Sequence, residues 1–288
     1  LRTISMGAWQ MALNKVARLE GYEQKYNQFL VEILPHIKKQ RLRKVKLKEK
    51  SPELANTVLL IIGTERGLCG KFNDILIENT LSWIETEEIG TYQIWAMGSR
   101  MISKLEHRGI DLSWRNPLPS ADLASYQQAY LTTQNWLEQY ESYAFNKFTV
   151  LFNQVGKGGS YQFSVFQLLP FEQAHEIKNL EESQKKWPPP IIETDPTSIY
   201  RRIIQHFVAS SFYKILLRSA IAENAARYNL MQEAKDNAEE ILEELNRVIN
   251  AERKRQITQE MQELAAGAGL LDNTSVAIIH YPINHYRR

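Results

Sequence analysis

Apolar and polar positions alternate along this chain with two different periods, and the longest uninterrupted pattern lies near its C-terminal end. From about Tyr200 to Leu271 there is no proline, and no glycine before Gly267. Met231, Ala234, Ala238, Ile241, Leu245 and Val248 follow one another at alternating steps of three and four, the seam of a coiled coil. Glu239, Glu240, Glu243, Glu244 and Arg247 fill the positions between them. A charged interruption, Glu252-Arg253-Lys254-Arg255, is followed by the same spacing at Ile257, Met261 and Leu264. A helix from Tyr200 to Leu264 is about 100 Å long at about 1.5 Å per residue. A domain of ordinary size cannot bury such a helix, so its seam needs a partner. The pattern from Thr3 to about Ile37 offers one, with Trp9, Ala12, Val16, Leu19, Tyr22, Tyr26, Phe29 and Ile33 along one face. Gly21 costs this helix up to about 1 kcal/mol, too little to break it, and Pro35 kinks or ends it. The two terminal helices are expected to pair antiparallel across whatever lies between them.

Between them the period changes to alternating strands and helices. Thr57 to Gly63 reads as a buried strand, followed by a helix from Asp74 to Glu87 with Asn73 as cap and Ile75, Leu76, Leu81 and Ile84 inward. A strand at Tyr92–Met97, a helix at Ser99–His107 ended by Gly109, and a loop from Asp111 to Pro119 come next. A helix from Ser120 to Tyr140, capped by Ser120, precedes strands at Lys147–Gln154 and Tyr161–Leu169, which the glycine-rich turn Val155–Ser160 joins. Trp187-Pro188-Pro189-Pro190 reads as a stiff linker, Thr197 or Ser198 as the cap of the long helix, and Asp272–Arg288 as a tail with a short strand at Val276–Ile279. The fold class is therefore α/β, a long antiparallel coiled coil of terminal helices with a small central, Rossmann-like α/β domain. The expected divisions are 1–50, 51–190, 191–271 and 272–288.

Composition narrows the function classes. The chain has 288 residues, 43% hydrophobic and 24% charged, with a net charge of +2, so bulk electrostatics points to neither nucleic acid nor membrane. Its longest apolar run, Val58–Ile62, is far shorter than the roughly 20 residues that span a bilayer, and no signal peptide is visible. Cys69 is the single cysteine, which excludes an intrachain disulfide and a four-cysteine zinc site and implies a reducing compartment. Leu1 is not an initiator methionine, and natural sequence is expected ahead of it. The charge is uneven: His36–Lys50 holds eight Lys or Arg against one Glu. This run reads as a solvated segment, as a contact for an acidic partner or anionic lipid, or, with no interleaved aromatic residues, least well as a nucleic-acid contact.

Gly63–Asn73, GTERGLCGKFN, follows a strand and opens a helix, where phosphate loops occur. A Walker A loop needs a glycine where Glu65 stands and Ser or Thr where Phe72 stands, and the dinucleotide pattern of spaced glycines is also absent. The remaining reading is a tight turn in which glycine supplies positive φ. Cys69 has no histidine near it in sequence to act as base, so a half-buried inert thiol is the simpler reading. The six histidines, His280 and His285 among them, show no metal-ligand spacing. No catalytic, cofactor or metal constellation stands out. Trp9 reads either as core packing or as an anchor for a partner.

Three separated segments resemble one family in the right order. Glu65–Asn73, ERGLCGKFN, is similar to the D-R-G-L-C-G-G-L-N signature of the gamma subunit of F-type ATP synthase. Ile221–Met231, IAENAARYNLM, is similar to its S-E-x-A-A-R-M-x-A-M segment, and Asn250–Leu271 resembles its ending. The resemblance implies a central rotor shaft without an active site of its own. Its terminal helices would turn inside a hexamer of alpha and beta subunits, its α/β domain would sit against the epsilon subunit and the membrane c-ring, and rotation would bias the beta subunits between states of different nucleotide affinity. It places the chain peripherally on the cytoplasmic side of a membrane. It also implies that Arg253, Lys254 and Thr258 contact a catalytic subunit, and that Gly267, Ala268, Leu270 and Leu271 form the slim end turning in the hexamer's bearing. The chain departs from the family where Lys254 replaces the usual glutamine, where Met6–Met11 includes Trp9 in place of a lysine- and alanine-rich helix, and in the tail after Leu271. These differences suggest a divergent member from an alternative ATPase pumping sodium ions or protons. They also motivate an alternative function, a gamma-like coiled-coil adaptor outside any rotary complex; a Rossmann-like nucleotide-binding enzyme rests only on the central pattern.

Overall fold

The computed structural model describes residues 2–33, 36–37, 56–119, 123–156, 161–170 and 191–268. The basic run 38–50, Ser120, the glycines of the 157–160 turn, the linker 187–190 and everything after Ala268 lie outside the described residues. The chain forms two compact units, Leu1–Glu233 and Ala234–Arg288.

The first unit is built on a sheet of five strands, β1 Thr57–Ile62, β2 Tyr92–Met97, β3 Trp114–Asn116, β4 Lys147–Val155 and β5 Tyr161–Leu169, ordered β3-β2-β1-β4-β5. β1 runs parallel to β2 and β4, and β5 closes the edge antiparallel to β4. Its helices are α1 Arg2–Ile33, α2 Phe72–Thr86, α3 Ser99–His107, α4 Tyr126–Glu141 and the first part of α5, Pro196–Gly267. All six residues of β1 are buried, as a central strand covered on both faces requires.

Side-chain alternation divides the core in two. Leu59, Ile61, Ile94, Ala96 and Leu151 face α2 and α3, meeting Leu76, Ile77, Met101 and Leu105. Val58, Leu60, Ile62, Trp95, Phe148 and Val150 face the other way, toward Trp136 of α4, Ala12 of α1, and Val208, Phe212 and Leu216 of α5. The crossovers through α2 and α3 thus lie on one face and the crossover through α4 on the other. The sheet reverses its winding between β1 and β4, the topological switch point of a doubly wound fold.

Several local expectations change. Asn73 is not a cap: α2 starts two residues earlier, Lys71 holds the cap position without a side-chain bond, and Asn73 is turned into the loop before it. Leu81 is 37% exposed, because the buried face of α2 runs through Leu76, Ile77, Thr80 and Ile84. Part of the expected loop at 111–119 is β3, whose Trp114 pairs with Trp95; three residues are too few to show an alternation. α4 starts at Tyr126 with Ser125 and Gln128 forming a capping box, an S-x-x-Q signal that Ser120 lacks. α5 begins at Pro196, whose missing N–H costs nothing in the first turn. The Asp195 carboxylate, rather than Thr197 or Ser198, accepts from the Ser198 N–H and hydroxyl at 3.0 Å each.

The N-terminal helix does pack along the long helix, at a different height from the expected seam. Tyr26 stacks on His206 with ring centroids 6.5 Å apart, while Tyr130 stacks on the same imidazole at 5.1 Å. The Tyr126 hydroxyl lies 3.0 Å from His206 Nδ1, and burial pushes its pKa up to about 12, with Tyr26 and Tyr130 adding to the rise. Trp9, Val16 and Leu19 are partly buried against the larger core, which answers the two readings of Trp9 in favour of packing.

Candidate functional site

Two places, one packed against α5 and one on it, take up the sequence segments singled out above. The first is the loop between β1 and α2, at the switch point where doubly wound folds bind ligands. Here Phe72, fully buried, packs on Tyr161 at 4.9 Å, and Cys69 and Phe72 cluster with Ala222 of α5. The loop is short of backbone partners, so side chains supply them. Asn73 Oδ1 accepts from Thr64 N at 3.1 Å, its Nδ2 donates to Thr64 Oγ1 at 2.9 Å, and Asn153 Nδ2 donates to the Phe72 carbonyl at 3.2 Å. Glu65 accepts from Ser99 N and Leu118 N at 2.8 Å and from Ser99 Oγ at 2.6 Å. Burial works to raise the Glu65 pKa, but these bonds and Arg66 outweigh it and hold the carboxyl below its ordinary value.

The expected positive φ occurs at Gly70, and also at Leu68, with φ of 56° and 64°. A leucine there is strained by about 1–2 kcal/mol.

Arg227 of α5 closes the joint. Its side chain is 8% exposed and that of Glu223, one turn earlier, 12%. Arg227 Nη2 donates to Glu223 Oε1 at 2.5 Å and to Cys69 Sγ at 3.3 Å, Nε to the Gly67 carbonyl at 3.4 Å, and Nη1 to Asn224 Oδ1 at 3.1 Å. A buried guanidinium needs acceptors of this kind for its N–H groups. Burial raises the Glu223 pKa, with Arg227 offsetting part of the rise. Burial likewise pushes the Cys69 thiol up to about 11, which leaves it protonated and a poor nucleophile. In the sequence Glu223 and Arg227 stand out only as part of the Ile221–Met231 segment that resembles the family. Their signal was an i, i+4 acid–base pair set among alanines.

The second place is the exposed part of α5. Of the expected seam, Met231 is half-buried, while Ala234, Ala238, Ile241, Leu245 and Val248 are exposed, Ile241 at 58% and Val248 at 60%. Leu242, Ile249, Ile257, Met261 and Leu264 are exposed as well. Arg253, Lys254 and Thr258 sit on exposed turns of the same helix, with Thr258 Oγ1 donating to the Lys254 carbonyl at 2.8 Å. Arg255 pairs with Glu252 at 3.0 Å, so the charged interruption is partly self-paired. Gly267 and Ala268 end the described helix, both exposed, and Leu270 and Leu271 lie outside the described residues.

The two segments that meet at the joint, 65–73 and 221–231, are two of the three that carry the family resemblance. The family model described as ATP synthase matches residues 1–271. The chain belongs to the ATP synthase gamma family. An ATP synthase gamma chain of Caldanaerobacter subterraneus is 25% identical over 277 residues, covering 93% of this chain and 92% of that one. One from Desulfitobacterium hafniense is 30% identical over 213 residues, with 74% and 72% covered. The fold is similar to the central stalk of the mitochondrial ATP synthase of Tetrahymena thermophila, with a TM-score of 0.51 at 19% identity, over 81% of this chain and 99% of that chain. Membership makes this chain a gamma subunit of an ATP synthase. Among the described residues no helix is long and apolar enough to cross a membrane.

Proposed function

We propose that this gamma-family chain is the rotor shaft that couples ion flow through a membrane c-ring to conformational change at catalytic beta subunits, without catalysing a reaction itself. One observation carries the reading: α5 is a single helix of 72 residues whose 207–227 stretch is largely buried and whose 234–264 stretch is exposed throughout. An exposed apolar stripe of that density is a contact surface. In this reading alpha and beta subunits surround the exposed stretch, with Arg253, Lys254 and Thr258 reaching a catalytic subunit and Gly267, Ala268, Leu270 and Leu271 turning in the bearing. The α/β unit meets the epsilon subunit and the c-ring, peripheral to the membrane on its cytoplasmic side. Force then enters as differential contacts of an asymmetric rod with three otherwise equivalent sites.

The test is reconstitution of the full chain with alpha and beta subunits. ATP hydrolysis that requires this chain, and ion pumping once the c-ring is added, are the expected results. A chain that binds neither alpha nor beta subunits would refute the reading and leave the coiled-coil adaptor.

A further inference from the structure

Arg227 is the last buried residue of α5 among the described residues; from Asn229 onward the helix is exposed or half-buried. The joint therefore lies at the final anchored turn of a helix that, as a rotor shaft, carries load beyond it. Most of the contact there is small and smooth. Ala222 and Ala226 of α5 pack with Cys69 and Phe72, and apolar contacts of this kind are non-directional. They hold the helix against the loop but resist its rotation weakly. Hydrogen bonds are directional, weakening steeply as the angle at the hydrogen falls.

The guanidinium is held in aim from its own helix and donates across to the loop. Glu223 and Asn224 accept from it on α5, while the Gly67 carbonyl and Cys69 Sγ accept on the other side. The loop is in turn tied to the body of the unit, through Glu65 to Ser99 and Leu118 and through Asn153 to the Phe72 carbonyl. Polar bonds at both ends of the loop, joined by its own backbone, thus connect the last anchored turn of the helix to β4 and to the first turn of α3.

We propose that Arg227, aimed by Glu223, is a positioning residue that locks the long helix against rotation about its own axis, so that torque passes between the helix and the sheet unit at this turn. The proposal rests on the rotor reading. A planar fork serving four acceptors is a role that lysine, a point charge with no fixed fork, fills only in part. Removing Arg227 alone would leave a buried carboxyl behind, whereas replacing both partners with apolar residues of similar volume is often neutral for folding.

The experiment compares the unaltered chain with R227K and with the double variant R227M/E223L, in the assembled complex and as the full isolated chain. In the complex, with the hexamer fixed, the rotational fluctuation of a probe on the c-ring is recorded. Its variance is expected to rise about twofold in the double variant and less in R227K, since the bonds crossing to Gly67 and Cys69 set the directional resistance. ATP hydrolysis and assembly stay intact, while ion-driven synthesis falls. In the isolated chain, amide hydrogen exchange at residues 66–71 quickens about tenfold in the double variant, the factor about 1.4 kcal/mol of local opening produces, with the unfolding midpoint unchanged. Unchanged variance in complexes that assemble and hydrolyse overturns the lock and leaves the rotor reading standing. Failure of the unaltered chain to assemble overturns the rotor reading. In that case exchange in the isolated chain decides the joint, and an unchanged rate overturns it too.

Discussion

The two stretches of α5 should respond oppositely to the same kind of mutation. Phe212 is fully buried, with its ring centroid 4.7 Å from that of Trp136, edge to face. Phe212→Ala removes a large side chain from a packed core, which costs about 3–5 kcal/mol. Leu242, on the same helix, is 58% exposed. Leu242→Ala forfeits little burial and puts the best helix former in its place, so its cost stays within about 0.5 kcal/mol. For a unit of about 150–250 residues, 1 kcal/mol moves the midpoint by about 2–4 °C, so Phe212→Ala should lower it by about 6–20 °C. Thermal and urea unfolding of the isolated chain, followed by tryptophan fluorescence, makes the measurement, because Trp95, Trp114 and Trp136 lie within 6.1 Å centroid distances of one another. Equal losses in the two variants, or a loss below about 1 kcal/mol for Phe212→Ala, would refute the division of the helix into a buried and an exposed stretch.

Four further outcomes follow from the geometry. Gly98 has φ of 98°, and an added Cβ would lie 2.8 Å from the Gly63 and Thr64 carbonyl oxygens; Gly98→Ala should cost about 2–5 kcal/mol, combining backbone strain with overpacking, in urea unfolding. With its thiol pushed up to about 11 from 9.0, Cys69 should react with iodoacetamide at pH 8 about a hundredfold more slowly in the folded chain than in denaturant, and equal rates would contradict the buried joint. The Glu65 carboxyl sits below its ordinary 4.5 when folded, so its stabilising share is complete above 4.5 and disappears as pH falls through the lower folded value. Glu65→Gln should accordingly flatten the acid limb of the stability curve below that pH, and an unchanged limb would count against the Ser99 and Leu118 bonds. Ala238 is exposed in mid-helix, so Ala238→Pro, at about 3 kcal/mol or more, should abolish complex assembly while the sheet unit melts as before; a normal yield of intact complex would refute the shaft role of that stretch.

Tertiary structure decided what each helical face meets. A period of three and four says that α1 and α5 each have an apolar stripe, but register between two helices distant in sequence depends on which rings fit together, and Tyr26, Tyr126, Tyr130 and His206 set it. The same holds for Asn73. As a polar residue before an apolar run it has the look of a cap, yet the unpaired Thr64 N–H in a buried loop was a stronger demand on its amide.

The sequence by itself determined the element types and their order, because burial on two faces, on one face, or on none leaves a distinct period in the chain. β1, β2, α3 and β5 stand within a residue of where the pattern put them. It also carried the family, through short segments whose residue types are specific. What it left unspecified was why those segments belong together. Glu65–Asn73 and Ile221–Met231 are separated by some 150 residues, with Arg227 and Cys69 158 apart, and only the doubly wound sheet, with α5 laid across its switch point, brings the loop and the arginine within hydrogen-bonding distance. Periodicity reports how deeply a residue is buried; it holds no information about which distant residue is waiting there.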